Sequence, residues 1–177
     1  MITFRKLWEN HPTIKGDDNP CVKDGKKNFQ NQCAIRVGAA LARCGFNTRA
    51  LPGARHCWYH DKSAGHVLAA QELASALAEL TIPGIGSVQR LSAKEFMEKA
   101  DGKNGVVFFK NYWQRSSDRE GSPTGDHIDF WNGSRLTDRM TWARFHLRVG
   151  GFGMHSLPQG PSDYLAAEEV WFWEVQG

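Results

Sequence analysis

The chain has 177 residues, of which 41% are hydrophobic and 23% charged, and its formal net charge at pH 7 is +3. This length suffices for one domain with a full core, and the composition excludes a disordered chain. The small positive charge argues against a nucleic-acid-binding domain, and no stretch approaches the roughly 18 apolar residues of a membrane span. We therefore predict a single domain over residues 1–177, with no bound nucleic acid and no membrane insertion.

Residues 9–30 are predicted to be an irregular lead-in. The N-terminus, MITFRKLWENHPTIKG, shows neither the apolar region nor the cleavage site of a Sec signal peptide. Residues 9–30 are rich in Asn, Asp, Gly, Pro and Lys, which favour turns. The first third also holds all the cysteines, whose spacing does not fix a disulfide pairing: Cys21, Cys33, Cys44 and Cys57.

The stretch NQCAIRVGAAL at 31–41 predicts a helix from about residue 33 to 43, with Asn31 as N-cap and Gly45 just past its end. Its small residues, Gly38 among them, allow another element to approach closely. Cys33 falls at the helix N-terminus, where unpaired N–H groups and the helix dipole stabilise a thiolate. Cys44 falls at the opposite end, where a thiolate is disfavoured. The side chains of Gln32 or Gln30 could help the helix N-terminus to bind an oxyanion.

The remaining pattern changes from helices to strands along the chain. Apolar spacing predicts a helix over 67–80, and the capping box at Ser92 and Glu95 begins another. Strands are predicted over 106–109, 127–131 and 170–175, and the polar residues 114–126 form a loop. This order predicts an α+β fold in which an N-terminal helical part packs on a mostly antiparallel sheet.

The segment GDHIDFWNG at 125–133 places a histidine at the start of a strand. Alternation puts His127, Asp129 and Trp131 on one face and Ile128 and Phe130 on the other. A buried Ile128 face would leave His127 on the opposite face, beside the polar loop. A helix bearing Cys followed by a strand bearing His is the arrangement shared by papain-like and NlpC-type cysteine hydrolases.

A second group of potential ligands lies in RHCWYHDKSAGH at 55–66, which contains His56, Cys57, His60, Asp61 and His66. His56 and His60 could share a helix face and bind zinc. The segment lacks HExxH, a CxxC pair and a fourth ligand at familiar spacing. We therefore predict no metal site and no cofactor.

The cysteine and histidine motifs, NQCAIRVGAAL and GDHIDFWNGSRLTD, together resemble the type VI secretion amidase effectors of family 4. The resemblance extends over the whole length and implies a Cys-His-Asp triad on an NlpC-like papain fold. By this resemblance Cys33 is the nucleophile, His127 the general base and Asp138 the acid that orients the imidazole. It also implies cleavage of peptidoglycan stem peptides between D-glutamate and meso-diaminopimelate. The implied partners are the type VI secretion machinery and a cognate immunity protein that blocks the groove, and the implied destination is the periplasm of a target cell.

Three residues compete to orient His127. Asp129 shares its strand face, but side chains two apart on a strand stand parallel. Asp138 follows the turn at Asn132, where the chain could reverse and pass beside His127, and we favour it mainly because of the resemblance. Asn132 is the third candidate.

Two other functions remain open from the sequence. A non-catalytic wall- or carbohydrate-binding module would use tryptophans as stacking platforms: Trp113, Trp131, Trp142, Trp171 and Trp173. A cysteine protease acting on protein substrates would use the same Cys33 and His127. The oligomeric state is not predictable from these patterns.

Overall fold

The computed structural model describes residues 1–113, 125–137 and 166–177. Within these ranges the helices are α1 (Phe4–Asn10), α2 (Cys33–Arg43), α3 (Ala70–Glu79) and α4 (Ala93–Lys99). The strands are β1 (Val22–Lys23), β2 (Lys26–Lys27), β3 (Gln89–Leu91), β4 (Asn104–Trp113), β5 (Gly125–Asn132) and β6 (Glu169–Glu174). The α+β prediction is confirmed.

The main sheet has four strands in the order β3-β6-β4-β5, and every pairing between them is antiparallel. β4 lies between β6 and β5, and its residue Phe108 pairs with Ile128 of β5 on one side and with Trp171 of β6 on the other. Among the described residues β5 therefore forms one edge of the sheet. That edge faces α2, whose N-terminus carries Cys33.

Apolar residues alternate between the two faces of this sheet, so each face has its own core. One face packs against α1, α2 and α3 and includes Ile128, Phe130 and Trp173. The opposite face packs against α4 and includes Trp131 and Phe172. The predicted alternation of β5 is confirmed, since Ile128 and Phe130 lie together and Trp131 lies on the other face.

Helix α2 matches the predicted bounds and packs against a loop at van der Waals distance. A Cβ built on Gly38 would lie 2.0 Å from the carbonyl oxygen of Gly65, and a Cβ on Gly65 would lie 2.1 Å from that of Gly38. Two glycines thus allow backbone to meet backbone. Gly45, at φ +83°, follows the helix as predicted and adopts the left-handed conformation that ends it.

Some elements differ from their predictions. The capping box of Ser92 and Glu95 is confirmed at the start of α4. α3 begins at Ala70 rather than near residue 67, because Val67 forms a bridge with His56 and Leu68 donates to the carbonyl of Arg55. The backbone of residues 67 and 68 is therefore engaged before the helix begins.

The lead-in is more structured than its composition predicts. α1 was not predicted, although Phe4 and Leu7 are buried and the Thr3 hydroxyl accepts from the N–H of Lys6. β1 and β2 form a small hairpin around Asp24 and Gly25, whose φ angles of 50° and 72° are those of a tight turn. Helices this short have too few residues to show a clear period.

A search for membrane spans finds none among the helices of the described ranges: each is too short or too polar to cross a bilayer.

Candidate active site

Cys33 is the first residue of α2 and is almost completely buried, with 6% of its surface exposed. The N-cap of α2 is Gln32 rather than the predicted Asn31, and the Asn31 side chain instead accepts a hydrogen bond from the Cys33 N–H at 3.1 Å. The Cys33 sulfur accepts a hydrogen bond from the backbone N–H of Ile128, which points outward from the edge of β5. The helix thereby presents its thiol directly to the strand that carries His127.

His127 lies beside this sulfur and forms a side-chain hydrogen bond with it. Its ring also makes an edge contact with Tyr112 of β4, with the ring centroids 6.1 Å apart. The structure therefore brings together Cys33 and His127, which are more than ninety positions apart in the sequence. This contact is the geometry that a cysteine nucleophile and its base require.

Asp129 supplies a buried negative charge next to the histidine. Its Oδ2 is 3.8 Å from Nε2 of His127, and the residue is 3% exposed. The carboxylate also accepts from the backbone N–H of Phe130 and from both the N–H and the hydroxyl of Thr137. These bonds fix the carboxylate on the same strand face as His127.

The charges of the three side chains support one another. Burial opposes ionisation of Cys33, but the hydrogen bond and charge of His127 outweigh it and lower the pKa of the thiol. Burial likewise opposes protonation of His127, but Asp129 and Cys33 raise its pKa to about 9. Burial also disfavours the Asp129 anion, and contacts with His127, His11 and Thr137 reverse this and lower its pKa. The interactions within the site therefore favour the charged form of each group: a thiolate, an imidazolium and a carboxylate.

Comparison with protein families gives a match over most of the chain. The family model of the type VI secretion system (T6SS) amidase effector protein 4, Tae4, matches residues 29–173. The chain belongs to the Tae4 family. Its members are peptidoglycan amidase effectors of the T6SS with a papain-like, NlpC/P60-type fold, as the resemblance implied. A search of curated proteins finds no match to the chain.

The Tae4 match includes Asp138, but this residue lies outside the described residues. Thr137, the residue before it, donates two hydrogen bonds to Asp129. The reversal predicted after β5 is present, because Leu136 pairs back with Trp131. The Asn132 side chain stabilises this turn, where its Oδ1 accepts hydrogen bonds from the backbone N–H groups of Ser134 and Arg135.

The two glutamines suggested for the oxyanion site of this Tae4 domain are in different environments. Gln32 is buried, and its side chain donates to the carbonyls of Cys21 and Phe29 while accepting from the Cys21 N–H. The N–H groups of its amide are thus occupied, and the side chain joins α2 to the backbone of Cys21 and Phe29 in the lead-in. Gln30 is exposed.

His11 is a residue of this site that the sequence analysis missed. It is 1% exposed, and its Nε2 lies 3.6 Å from Oδ1 of Asp129, opposite His127. Burial lowers the pKa of His11 to about 4, so its ring is neutral at pH 7. His11 lies in the segment predicted to be irregular, directly after α1. A prediction of α1 would have been the one sequence signal that His11 has a fixed position.

Three of the tryptophans considered as stacking platforms are instead core residues. Trp131, Trp171 and Trp173 are all buried, and Trp131 donates its indole N–H to the carbonyl of Ala100. Trp142 lies outside the described residues. The described part of this Tae4 member thus gives no support to a sugar platform built from these three side chains.

The shared helix face considered for His56 and His60 is not formed. His56 forms a bridge with Val67, and the residues after it form a turn rather than a helix.

Proposed function

We propose that this protein hydrolyses an amide bond of peptidoglycan stem peptides by a cysteine mechanism, with Cys33 as nucleophile and His127 as base. The observation that carries this proposal is the hydrogen bond between the two side chains, together with the opposite shifts of their pKa values. A thiolate is the reactive form of cysteine, and a paired imidazolium stabilises it. Membership of an amidase family supplies the class of bond.

In the proposed first half-reaction the Cys33 thiolate attacks the carbonyl carbon of the scissile amide. The imidazolium of His127 then donates its proton to the leaving amine, and an acyl-enzyme thioester remains. In the second half-reaction His127 accepts a proton from water as the water attacks the thioester, and the Cys33 thiolate leaves, which releases the acid and regenerates the thiolate–imidazolium pair.

The developing oxyanion needs hydrogen-bond donors beside Cys33. The backbone N–H groups of the first turn of α2 point toward this end of the helix and carry its positive dipole. The Cys33 N–H is bonded to Asn31, so we propose the N–H groups that follow it in this turn as the main donors, with the exposed Gln30 side chain as an additional one. The side chain of Gln32 is left out, because its amide is bonded to the lead-in backbone.

Two carboxylates have different roles in this proposal. Asp138 orients the imidazole, as the family resemblance implies. Asp129 Oδ2 lies 3.8 Å from Nε2 of His127, which is longer than an ordinary hydrogen bond. Its role in this proposal is therefore to supply the buried charge that favours the imidazolium.

The choice of scissile bond and of the place of action follows the Tae4 family. We propose the bond between D-glutamate and meso-diaminopimelate as the target, and the periplasm of a neighbouring bacterium as the place of action. A cognate immunity protein that covers the groove at Cys33 would protect the producing cell. The mild positive charge of +3 is compatible with an anionic wall polymer as substrate.

The decisive experiment is digestion of purified peptidoglycan followed by mass spectrometry of the released fragments. Wild-type protein should convert stem peptides into fragments ending in D-glutamate and fragments beginning with meso-diaminopimelate. Cys33→Ala should release none of them, whereas Cys44→Ser, which changes a thiol at the other end of the same helix, should keep wild-type activity.

Three outcomes would contradict the proposal. Full activity of Cys33→Ala would exclude Cys33 as the nucleophile. Casein cleavage without activity on muropeptides would favour a protease. Wall binding without cleavage by the wild-type protein would favour a binding module.

A further inference from the structure

Four metal-ligating side chains converge outside the active site, close to the start of α2. They are Cys21, Cys57, His60 and His66, and one possible ligand atom of each lies within 4.8 Å of the other three. The sulfur atoms of Cys21 and Cys57 are 3.4 Å apart. Nδ1 of His60 lies 3.7 Å from the first sulfur and 3.4 Å from the second.

We propose that these four side chains bind one structural Zn²⁺ ion. Zinc bonds of about 2.3 Å to sulfur and about 2.0 Å to nitrogen place tetrahedral ligand atoms roughly 3.4 to 3.8 Å apart. The three separations at Cys21, Cys57 and His60 lie in this range. Two thiolates and two imidazoles are a donor set for zinc rather than for magnesium or calcium, which prefer oxygen.

The surroundings of the sulfur atoms fit thiolates held by a metal. The side chain of Asn28 donates an N–H to Cys21 Sγ at 3.4 Å, and the backbone N–H of Tyr59 donates to Cys57 Sγ at the same distance. Each sulfur is therefore an acceptor, which suits a negative charge. Such donors around the ligands are the usual companions of a metal site.

The burial of the cluster is costly without a cation. Cys21 is fully buried, Cys57 is 2% exposed and His66 is 7% exposed. Nδ1 of His66 is a buried polar atom with no hydrogen-bond partner among the residues that the structure describes. A divalent cation would replace the lost hydration of all four groups at once.

The position of the cluster suggests what the ion would stabilise. Cys21 belongs to the lead-in, whereas Cys57, His60 and His66 belong to the loop that packs on α2. The side chain of Gln32, the residue just before Cys33, forms hydrogen bonds with both the N–H and the carbonyl of Cys21. All four ligands come from the protein, so the site has the closed character of structural zinc. The ion would join two irregular segments beside the catalytic helix.

The test is the metal content of the full chain, purified from a reducing cytoplasm without chelator and after removal of any affinity tag. We expect one zinc per chain. Replacing zinc by Co²⁺ should give the visible bands of a tetrahedral site and the near-ultraviolet thiolate-to-cobalt band. A strong chelator should lower the melting temperature by about 10 °C, because a tightly bound ion stabilises only the folded state.

Matched variants separate this cluster from the other thiols and histidines. Cys57→Ser and His60→Gln should lose the zinc, while Cys44→Ser and His56→Gln should retain it. If the ligand variants fail to fold, the cobalt spectrum of the wild-type protein decides the matter. Zinc content well below one per chain, no thiolate-to-cobalt band, or unchanged zinc in Cys57→Ser would overturn the proposal. So would peptide mapping that finds a Cys21–Cys57 disulfide in place of the metal.

Discussion

At the scale of single residues, one buried carboxylate is shared by two imidazoles of opposite character. Asp129 lies between His127, whose pKa is raised to about 9, and His11, whose pKa is lowered to about 4. Burial disfavours both cations, but His127 interacts with both Asp129 and the Cys33 sulfur, whereas His11 has Asp129 alone and is opposed by the charges of Arg36 and Arg43. The protonated ring is thus the one that can reach the sulfur.

This arrangement separates the expected effects of the two carboxylates. Asp138→Asn should lower kcat by about 100-fold or more, because the imidazole would lose its proposed orienting partner. Asp129→Asn should lower both activity and melting temperature, because Thr137 and Phe130 lose a charged acceptor. Steady-state kinetics and thermal unfolding of both variants measure this, and wild-type kcat in Asp138→Asn would refute the assignment.

The two thiols of helix α2 should differ in reactivity. The pKa of Cys33 is lowered by His127 despite burial, whereas burial raises that of the partly buried Cys44. Iodoacetamide should therefore modify Cys33 faster than Cys44 at pH 7, although Cys33 is the less exposed. The Cys33 rate should fall only below its lowered pKa, and the Cys44 rate should keep rising above pH 9. Peptide mass spectrometry over a pH series tests this, and parallel pH profiles would count against an activated thiol.

At the scale of elements, the close contact between α2 and the loop at Gly65 sets the position of the nucleophile. Gly38→Ala would place a methyl group 2.0 Å from the Gly65 carbonyl oxygen, so either helix or loop must shift. We expect a loss of about 2 kcal/mol in the free energy of unfolding, as for other overpacked sites.

Chemical denaturation measures this loss, with Lys62→Ala as the control. Lys62 lies in the same loop but is exposed, and a surface substitution changes stability by about 0.5 kcal/mol or less. Equal stability of Gly38→Ala and wild type would show that the two backbones can separate without cost.

Elements with strong local signals were predictable from the sequence, and those that depend on partners were not. α2 has a clear apolar period and a glycine just past its end, and α4 has a capping box, so both helices begin where predicted. β3 has only three residues and exists because Leu91 pairs with Val170, far away in the chain. The late start of α3 likewise depends on the bridge between His56 and Val67.

At the scale of the whole molecule, the site joins parts of the chain that have little in common locally. Cys33 and His127 could be predicted because each carries a local signal, a helix start for one and an alternating strand for the other. His11 and the approach of Cys21 to His60 could not, since both lie in segments without a period. Burial and long-range packing determine these contacts, and neither is encoded in a short stretch of sequence.

The bond from Ile128 N–H to the Cys33 sulfur has a consequence for the sheet as well as for catalysis. An edge strand with exposed N–H groups invites pairing with a strand of another molecule. The Ile128 N–H on β5 is instead buried against the start of α2, where the Cys33 sulfur is its acceptor, and a buried N–H that loses its acceptor costs free energy. Cys33→Ala therefore also leaves a buried backbone donor without its acceptor, whereas Cys33→Ser retains an acceptor at that position.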